Sequence, residues 1–384
     1  MEDFIHLHVH TYYSLLDGQS PVEKLVDKAI ADGMRGMAIT DHGNMFGVKE
    51  LFNYCNKVNG KLKKEGKEPF KPIFGCEMYV AHRKKSDRVK EKGDMGGYHL
   101  IVLAKNYNGY KNLIKLVSRA WVDGYYMRPR TDREDLEKYH EDLIVCSACI
   151  AGEVPAKILK NDIAGAREAI EWYKNLFGDD YYLELQRHEV RDPHQRANRE
   201  TFPLQQQANK VLMELAKEYG IKLVCTNDCH FVNQDNAEAH DHLLCLATGK
   251  DLDDPNRMLY TKQEWFKTRE EMNEVFTDVP EALSNTLEIL DKVEFYSIDH
   301  SPIMPFFPIP KEFGTEEDTR KRITPEELFR EFTTDENGND IMSQEEAESK
   351  IKKLGGIDKL YRIKFEADYL EKLAYDVAKR LYGD

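Results

Sequence analysis

The chain has 384 residues, and its 55 basic and 69 acidic side chains give a formal charge of −14. This charge argues against a generic basic nucleic-acid-binding domain, and the length excludes a single small module because domains average about 150 residues. No apolar stretch approaches the ~20 residues of a membrane span, and the first residues lack the basic and apolar regions of a secretory signal. We therefore expect a cytoplasmic protein without a membrane partner. Seven cysteines, an odd number, predict free thiols or metal thiolates and no disulfide framework.

Short apolar runs alternate with helical patterns along most of the chain. Helical patterns fit residues 110–122, 164–177 and 204–219, and candidate strands occupy residues 5–9, 36–40, 73–80, 99–104, 143–147, 181–185 and 222–226. Seven strands alternating with helices predict a parallel α/β architecture, either a barrel or a doubly wound sheet. No Gly-x-Gly-x-x-Gly turn follows the first strand, which counts against a dinucleotide-binding sheet.

A proline-rich run at residues 301–310 can form neither a regular helix nor a central strand. It predicts a boundary that ends a first domain at residue 300. Beyond it the sequence is helical and charged, and it supplies no core of its own. We therefore interpret residues 301–384 as this boundary and the incomplete beginning of a further domain.

Three histidines alternate with aliphatic residues in the first predicted strand, His6-Leu-His8-Val-His10. Because successive side chains of a strand point to opposite faces, the three imidazoles should share one face. A single histidine is more often a satisfied core residue than a ligand, but three on one face favour a bound metal. Asp17 follows in a Leu-Leu-Asp-Gly turn, and taken alone it is typical of a turn or cap.

Other side chains able to bind a metal stand at the ends of further predicted strands. They are Asp41 and His42, Cys76 and Glu77, His99, Cys146 and Cys149, and Asp228 and His230. The carboxyl ends of parallel strands converge on one mouth of a barrel, so these groups can meet in space. His99 fits less well because it opens its strand, which predicts a shifted boundary or a distortion there.

The mixture of imidazoles, carboxylates and one thiolate is typical of zinc or manganese sites, and a glutamate can bridge two cations. Clustered divalent ions stabilise the attacking and leaving oxygens of a phosphoester, so phosphoester hydrolysis is the expected chemistry. A four-cysteine zinc site is an alternative with an unusual spacing, formed by Cys146, Cys149, Cys225 and Cys229. Glu184, Gln186 and His188 end the sixth strand and are placed to contact substrate. A metal-dependent amidohydrolase also begins with His-x-His, but Asp228-x-His230 distinguishes this sequence from that class.

Five motifs, in order along the chain, resemble the polymerase and histidinol phosphatase (PHP) domain. They are His6-Leu-His-Val-His-Thr-Tyr-Tyr-Ser-Leu-Leu-Asp-Gly18, Ile39-Thr-Asp-His-Gly43, Gly75-Cys-Glu77, Ser147-Ala-Cys-Ile-Ala-Gly-Glu153 and Thr226-Asn-Asp-Cys-His230. Two further motifs resemble the version of this domain at the N-terminus of bacterial C-family replicative polymerases, namely Gly124-Tyr-Tyr-Met-Arg-Pro-Arg130 and Met304-Pro-Phe-Phe-Pro-Ile-Pro310.

The resemblance implies a distorted seven-stranded (β/α)7 barrel over residues 1–300, followed by a mostly helical appendage that begins the palm and thumb region. It also implies up to three divalent ions, zinc or manganese. By the family's arrangement, His8, His10, Glu77 and Asp228 would hold one ion and be the catalytic residues. Glu77, His99 and Cys149 would hold a second ion, and Asp17, His42 and His230 a third. His6 receives no ligand role.

The implied activity is a metal-dependent 3′–5′ exonuclease that acts on the primer 3′ end of DNA. Its partners would be the remaining polymerase domains and other replisome subunits. The family's acidic palm motif is absent from these 384 residues, so no DNA synthesis is expected from this chain. Two alternatives stay open. One is a metal-binding structural module without hydrolysis, and the other is an independent phosphatase for a small phosphate monoester.

Overall fold

The computed structural model describes residues 1–190, 196–303, 305 and 307–383, so Met304 and Phe306 of the proline-rich motif lie outside the described residues. The chain divides into two compact units, Met1–His300 and Ser301–Asp384. All seven cysteines are free, as the composition predicts. Among the described residues, no helix is long and apolar enough to cross a membrane.

The first unit alternates strands and helices. Its strands are β1 (Gly36–Ile39), β2 (Lys71–Val80), β3 (Tyr98–Ala104), β4 (Arg130–Thr131), β5 (Leu143–Cys146), β6 (Tyr181–Leu185) and β7 (Leu223–Cys225). Its helices are α1 (Val22–Ala31), α2 (Val48–Lys64), α3 (Tyr107–Val122), α4 (Arg133–Tyr139), α5 (Glu153–Leu159), α6 (Ile163–Phe177), α7 (Arg196–Glu200), α8 (Phe202–Tyr219), α9 (Ala237–Thr248), α10 (Arg269–Val275) and α11 (Pro280–Lys292). The three helices predicted from the sequence are confirmed as α3, α6 and α8.

Helix α3 illustrates how local sequence sets these elements. The side chain of Asn106 accepts hydrogen bonds from the N–H groups of Asn108 and Gly109, which satisfies donors at the helix start. Leu113 and Leu116 lie on one face and are fully buried where the helix packs against β3. The helix therefore covers the sheet with one face, and its last turn reaches the edge where the candidate site lies.

The sheet has the order β1-β2-β3-β5-β6-β7, with the short β4 paired to β2. The pairs β1/β2, β5/β6 and β6/β7 are parallel, but β3 runs antiparallel to both β2 and β5. The expectation of a wholly parallel sheet is therefore wrong for β3. This reversal explains why His99 opens its strand, because the first residues of an antiparallel strand lie at the same edge as the last residues of its parallel neighbours.

The predicted first strand, residues 5–9, does not form a continuous strand. Its backbone instead bonds to both edges of the sheet. On one side Ala38 N–H donates to His6 O (2.9 Å) and Thr40 N–H donates to Val9 O (2.8 Å). On the other side Cys229 N–H donates to His8 O (3.1 Å) and His10 N–H donates to Cys229 O (2.7 Å). This segment closes the curved sheet, and the predicted distorted α/β barrel is confirmed.

The second unit is helical, with α12 (Glu316–Arg322), α13 (Pro325–Thr333), α14 (Gln344–Leu354) and α15 (Ile357–Tyr382). Thr315 and Thr324 begin α12 and α13 with capping boxes. The apolar cluster of this unit contains only four buried residues among those described, Leu328, Ile351, Leu360 and Tyr361. The C-terminal half of α15 leaves Leu370 and Leu381 exposed. This unit has a much smaller core than the barrel.

Candidate metal centre

The mouth of the barrel brings together the nine residues that the sequence proposes as ligands. His8 and His10 lie in the closing segment, and Asp17 lies in the turn between this segment and α1. The others lie within strands or shortly after them: His42, Glu77, His99, Cys149, Asp228 and His230. Three groups of potential ligand atoms are each mutually within 4.8 Å: His8, His10 and Asp228; Glu77, His99 and Cys149; and His10, His42 and His230. Segments far apart in sequence therefore converge on one site.

Left-handed backbone marks the turns that aim several of these side chains. Asp228 itself has φ of 46°, and Leu16 and Ala148, which precede Asp17 and Cys149, each have φ of 61°. This conformation is uncommon for residues other than glycine and is often found at functional sites. Three of the ligand-bearing turns thus carry a conformational cost that the surrounding fold holds in place.

The first group contains buried atoms without hydrogen-bond partners. Asp228 Oδ1 lies 3.1 Å from His8 Nε2 and 3.2 Å from His10 Nε2. None of these three atoms has a hydrogen-bond partner among the described residues. An unpaired buried polar atom costs free energy in a folded protein. Three such atoms converging on one point fit a divalent cation that they would jointly coordinate.

Hydrogen bonds behind His8 and His10 fix the orientation of both rings. His8 Nδ1 lies 2.6 Å from Glu184 Oε1, and His10 Nδ1 lies 2.9 Å from Ser14 Oγ. Ser14 Oγ donates in turn to Asp41 Oδ1 at 2.7 Å, so it accepts from His10. Each Nδ1 therefore carries a proton, which leaves the Nε2 lone pair of the neutral ring free to bind a cation at the site. Partners of this kind are typical of metal-bound histidines.

Glu77 contacts all three groups. Its Oε1 lies 2.9 Å from His99 Nδ1 and 3.3 Å from His8 Nε2, while its Oε2 is hydrogen bonded to His42 Nδ1. Cys149 Sγ lies 3.6 Å from His99 Nδ1. A carboxylate with one oxygen on each side is suited to bridging two cations.

Asp17 stands beside the third group. Its Oδ2 lies 2.8 Å from His42 Nε2 and 3.6 Å from His230 Nε2. Its Oδ1 is buried without a hydrogen-bond partner among the described residues. The third group thus contains His10 as well as His42 and His230 of the predicted trio, and Asp17 lies beside it.

The ionisable groups strongly perturb one another. Burial alone would lower the pKa of His8 and of His42, but nearby carboxylates, chiefly Asp228 and Glu77 respectively, raise both pKa values well above the ordinary range. Burial and the neighbouring imidazoles lower the pKa of His10 to about 3. Although burial opposes it, the imidazoles hold the pKa values of Asp17, Glu77 and Asp228 below their ordinary values. The carboxylates are therefore ionised and available to cations.

Cys149 behaves differently, because burial followed by the charges of Asp228 and Glu77 raises the pKa of its thiol well above the ordinary value. A thiolate at this position therefore requires a cation beside it. The full donor set, imidazole nitrogens, carboxylate oxygens and one sulfur, fits zinc and similar borderline metals.

Several neighbours of the site differ from the sequence-based interpretation. Glu184, expected to contact substrate, is instead buried and bonded to His8 and Thr226. His188 Nε2 lies 3.1 Å from Asn227 O, away from the ligand groups. Tyr260 has no signal in the sequence, yet its hydroxyl lies 3.2 Å from Asp17 Oδ2 and 3.3 Å from His230 Nε2. Among the described residues, no four-cysteine group forms, because Cys149 joins Glu77 and His99.

A family model of the PHP domain matches residues 6–188. The chain therefore contains a PHP domain over these residues. It is also homologous to DNA polymerase III subunit alpha: it is 43% identical to the protein of Borreliella burgdorferi over 329 residues, which is 85% of this chain and 27% of the relative. The corresponding protein of Treponema pallidum is 38% identical over 86% of this chain and 26% of its own length. The chain thus spans about a quarter of the length of these relatives.

A solved structure of a histidinol phosphate phosphatase from Lactococcus lactis, complexed with zinc, L-histidinol and phosphate, gives a TM-score of 0.33 at 17% identity. The match covers 60% of this chain and 87% of that chain. A similarity of this size says nothing about the site.

Proposed function

We propose that this chain is the metal-binding part of a replicative DNA polymerase subunit and that its barrel is a 3′–5′ exonuclease. The nine residues named above would hold zinc or manganese, with up to three ions, and His8, His10, Glu77 and Asp228 would be catalytic. The observation that carries this proposal is the convergence of His8 Nε2, His10 Nε2 and Asp228 Oδ1, buried and without hydrogen-bond partners among the described residues.

When bound, divalent ions polarise a phosphodiester and lower the pKa of a water molecule, which supplies the nucleophile. The residues of the chain hold and orient the reacting groups. His8 and His10 are fully buried, whereas the side chains of Asp17, His42 and His99 are 20%, 19% and 22% exposed. Substrate would therefore approach from this exposed side. The Tyr260 hydroxyl, which donates to Asp17 Oδ2 at 3.2 Å, holds that carboxylate from the same side.

The proposed partners follow from the relatives. Because the chain matches about a quarter of DNA polymerase III subunit alpha, we infer that it acts beside further polymerase domains and other replisome subunits. The primer 3′ end would be the substrate, and the protein would work in the cytoplasm. Residues 301–384 would begin the palm and thumb region.

The test is degradation of a 5′-labelled primer by the 384-residue chain in the presence of zinc or manganese. Wild type should shorten the primer from its 3′ end. Asp228→Asn, which keeps the shape of the side chain but removes its charge, should lose this activity, and Asp251→Asn on the exposed loop after α9 should keep it. A metal-loaded wild type without degradation would favour a structural module. Rapid release of phosphate from histidinol phosphate would favour the monoester phosphatase.

A further inference from the structure

A cleft of about 660 Å³ opens beside the metal centre. Asp17, His42 and His99 line it together with Trp121 and Tyr125. The cleft is therefore continuous with the ligand groups and extends well past them. Its lining also includes exposed aromatic side chains that the proposed chemistry does not use.

The aromatic pair is stacked and accessible. Trp121 and Tyr125 have ring centroids 5.5 Å apart and planes inclined by 20°, and the two residues are 43% and 47% exposed. Trp121 Nε1 donates to Gly43 O at 2.8 Å, next to His42, so the indole is fixed relative to the metal centre. Large exposed apolar surfaces beside a site commonly mark a place of binding.

The loop that carries Tyr125 is held rigidly by a buried arginine. Arg130 is fully buried and donates to the carbonyl oxygens of Gly124 (3.1 Å), Asp94 (2.6 Å) and Lys85 (2.7 Å). A Cβ atom at Gly124 would lie 1.9 Å from Arg130 O, so only glycine permits this close approach. The Gly124–Arg130 motif is thus built to present its middle residues at a fixed position.

Arg128 supplies the charge of this surface. It is the only lysine or arginine among the described residues that line the cleft. Its guanidinium lies 5.6 Å from the centre of the Tyr79 ring, which stacks on His42 with centroids 6.2 Å apart. A cation on the path between the aromatic pair and the metal ligands is placed to contact a phosphate of a bound strand.

We propose that the Trp121 and Tyr125 rings form a stacking shelf for the bases of an unpaired DNA strand, with Arg128 contacting its backbone. The inference rests on the proposed exonuclease function and names its substrate class as a single-stranded or frayed 3′ end. Aromatic side chains accept any base because every base has a π face, so the shelf would be insensitive to sequence. A base paired inside a duplex cannot present its face to these rings, so the shelf would select unpaired ends.

The test compares Tyr125→Leu with Tyr125→Phe in the 384-residue chain. The leucine variant removes the ring, and the phenylalanine variant keeps it. For a single-stranded primer we expect Tyr125→Leu to raise KM about tenfold with kcat unchanged, and Tyr125→Phe to behave like wild type. On a primer with an abasic 3′ nucleotide the same leucine variant should change KM less than twofold, because no base is left to stack.

A binding measurement separates this proposal from the exonuclease. The fluorescence of an oligonucleotide with 2-aminopurine at its 3′ end should be quenched when it binds to the Asp228→Asn variant. Adding Tyr125→Leu to this variant should abolish the quenching. Arg128→Ala should reduce the slope of log K against log salt concentration by about 0.7, and Arg128→Lys should restore it. Tyr107→Leu is the matched control, since Tyr107 is 42% exposed at the other end of α3.

The outcomes are distinguishable. If quenching depends on Tyr125 but the wild-type chain degrades no primer, the shelf is supported and the proposed exonuclease function is contradicted. Degradation by wild type with an unchanged KM and unchanged quenching in Tyr125→Leu would overturn the shelf alone. Binding of a peptide or protein segment in the cleft without displacement of bound DNA would also contradict it, because the DNA would then bind elsewhere. Metal content is measured for every variant, so that a disturbed metal site is not mistaken for lost stacking.

Discussion

His6 and the pair of His8 and His10 lie in one short segment, yet the two ends of that segment form different environments. His6 Nε2 lies 2.8 Å from Lys267 O and must donate to it, and His6 Nδ1 lies 3.4 Å from Cys229 Sγ, whose S–H it accepts. Both ring nitrogens of His6 are therefore satisfied. His8 and His10 each bond through Nδ1 only, and each leaves Nε2 aimed at Asp228.

This difference shows that alternation along a strand does not make a histidine a ligand. The partner of the second ring nitrogen decides the role. At the deep end, a backbone carbonyl and a thiol complete the hydrogen bonding of His6, and burial lowers its pKa to about 3, so the ring is neutral. At the mouth, the second nitrogen of each ring faces the Asp228 carboxylate, and a shared cation would complete this arrangement.

The largest effect should come from replacing each of the three histidines of this segment by glutamine. His8→Gln and His10→Gln each remove a proposed ligand, so we expect primer degradation to fall at least about 100-fold and metal to be lost. His6→Gln should keep its metal and stay within about threefold of wild type, because its ring is used only in packing and hydrogen bonding. Equal losses of primer degradation and metal in all three variants would contradict the different roles of His6 and of the pair His8 and His10.

The next largest effect should come from the carboxylate behind His8. The Glu184 carboxylate orients the His8 ring and raises the basicity of that ring. Glu184→Gln replaces it by a weaker acceptor, so we expect metal affinity to fall about 10-fold to 100-fold. Competition with a metal-buffering chelator measures this affinity. Glu288→Gln is the control, because Glu288 also accepts a side-chain hydrogen bond, from the Tyr182 hydroxyl, but lies away from the ligands. An unchanged affinity in Glu184→Gln would show that His8 needs no orienting partner.

The pH dependence of stability tests the environment of Lys267, whose carbonyl oxygen accepts the hydrogen bond from His6. Burial lowers the pKa of Lys267 to about 8, whereas the unfolded chain should titrate near its ordinary 10.5. Between these values the unfolded state binds more protons than the folded state, so this residue makes stability rise with pH. We expect about 1 to 2 kcal/mol between pH 7 and pH 10, after allowance for relaxation of a buried charge. Urea unfolding should show this rise in wild type and a smaller one in Lys267→Met; identical pH dependence in both would refute the assignment.

The smallest effect should come from Ser14→Ala at the mouth. Ser14 accepts from His10 Nδ1, but a water molecule can replace a hydroxyl, and Asp41 keeps its bonds from Thr11. We therefore expect a loss of about threefold in metal affinity. Ser284→Ala on α11 is the control. A loss as large as that of Glu184→Gln would mean that the two histidines depend equally on their partners.

Most of the fold follows from the sequence because strand and helix periodicity is local. Six of the seven predicted strands form, and α3, α6 and α8 appear where the pattern predicts them. The direction of β3 does not follow, since residues 98–104 have the same pattern in either orientation and pairing with β2 and β5 decides it. The two-residue β4 is too short to give a pattern.

The nine proposed ligands follow from motif chemistry, and the structure brings them to one mouth. Their ligand role stays a prediction, as does the domain boundary near residue 300. The residues that support the ligands cannot be predicted from the sequence. Glu184 and His8 are 176 positions apart in the chain, and Tyr260 and Asp17 are 243 positions apart. Only the folded chain brings such pairs together. Asp41 and Ser14 likewise act through a contact between two segments.

The most direct test is the metal content of the 384-residue chain purified without chelators, measured by native mass spectrometry and elemental analysis. We predict bound zinc or manganese in wild type, up to three ions per chain, fewer in Asp228→Asn, and an unchanged number in His6→Gln. A wild-type chain that carries no divalent metal and takes up none when zinc or manganese is supplied would contradict the account.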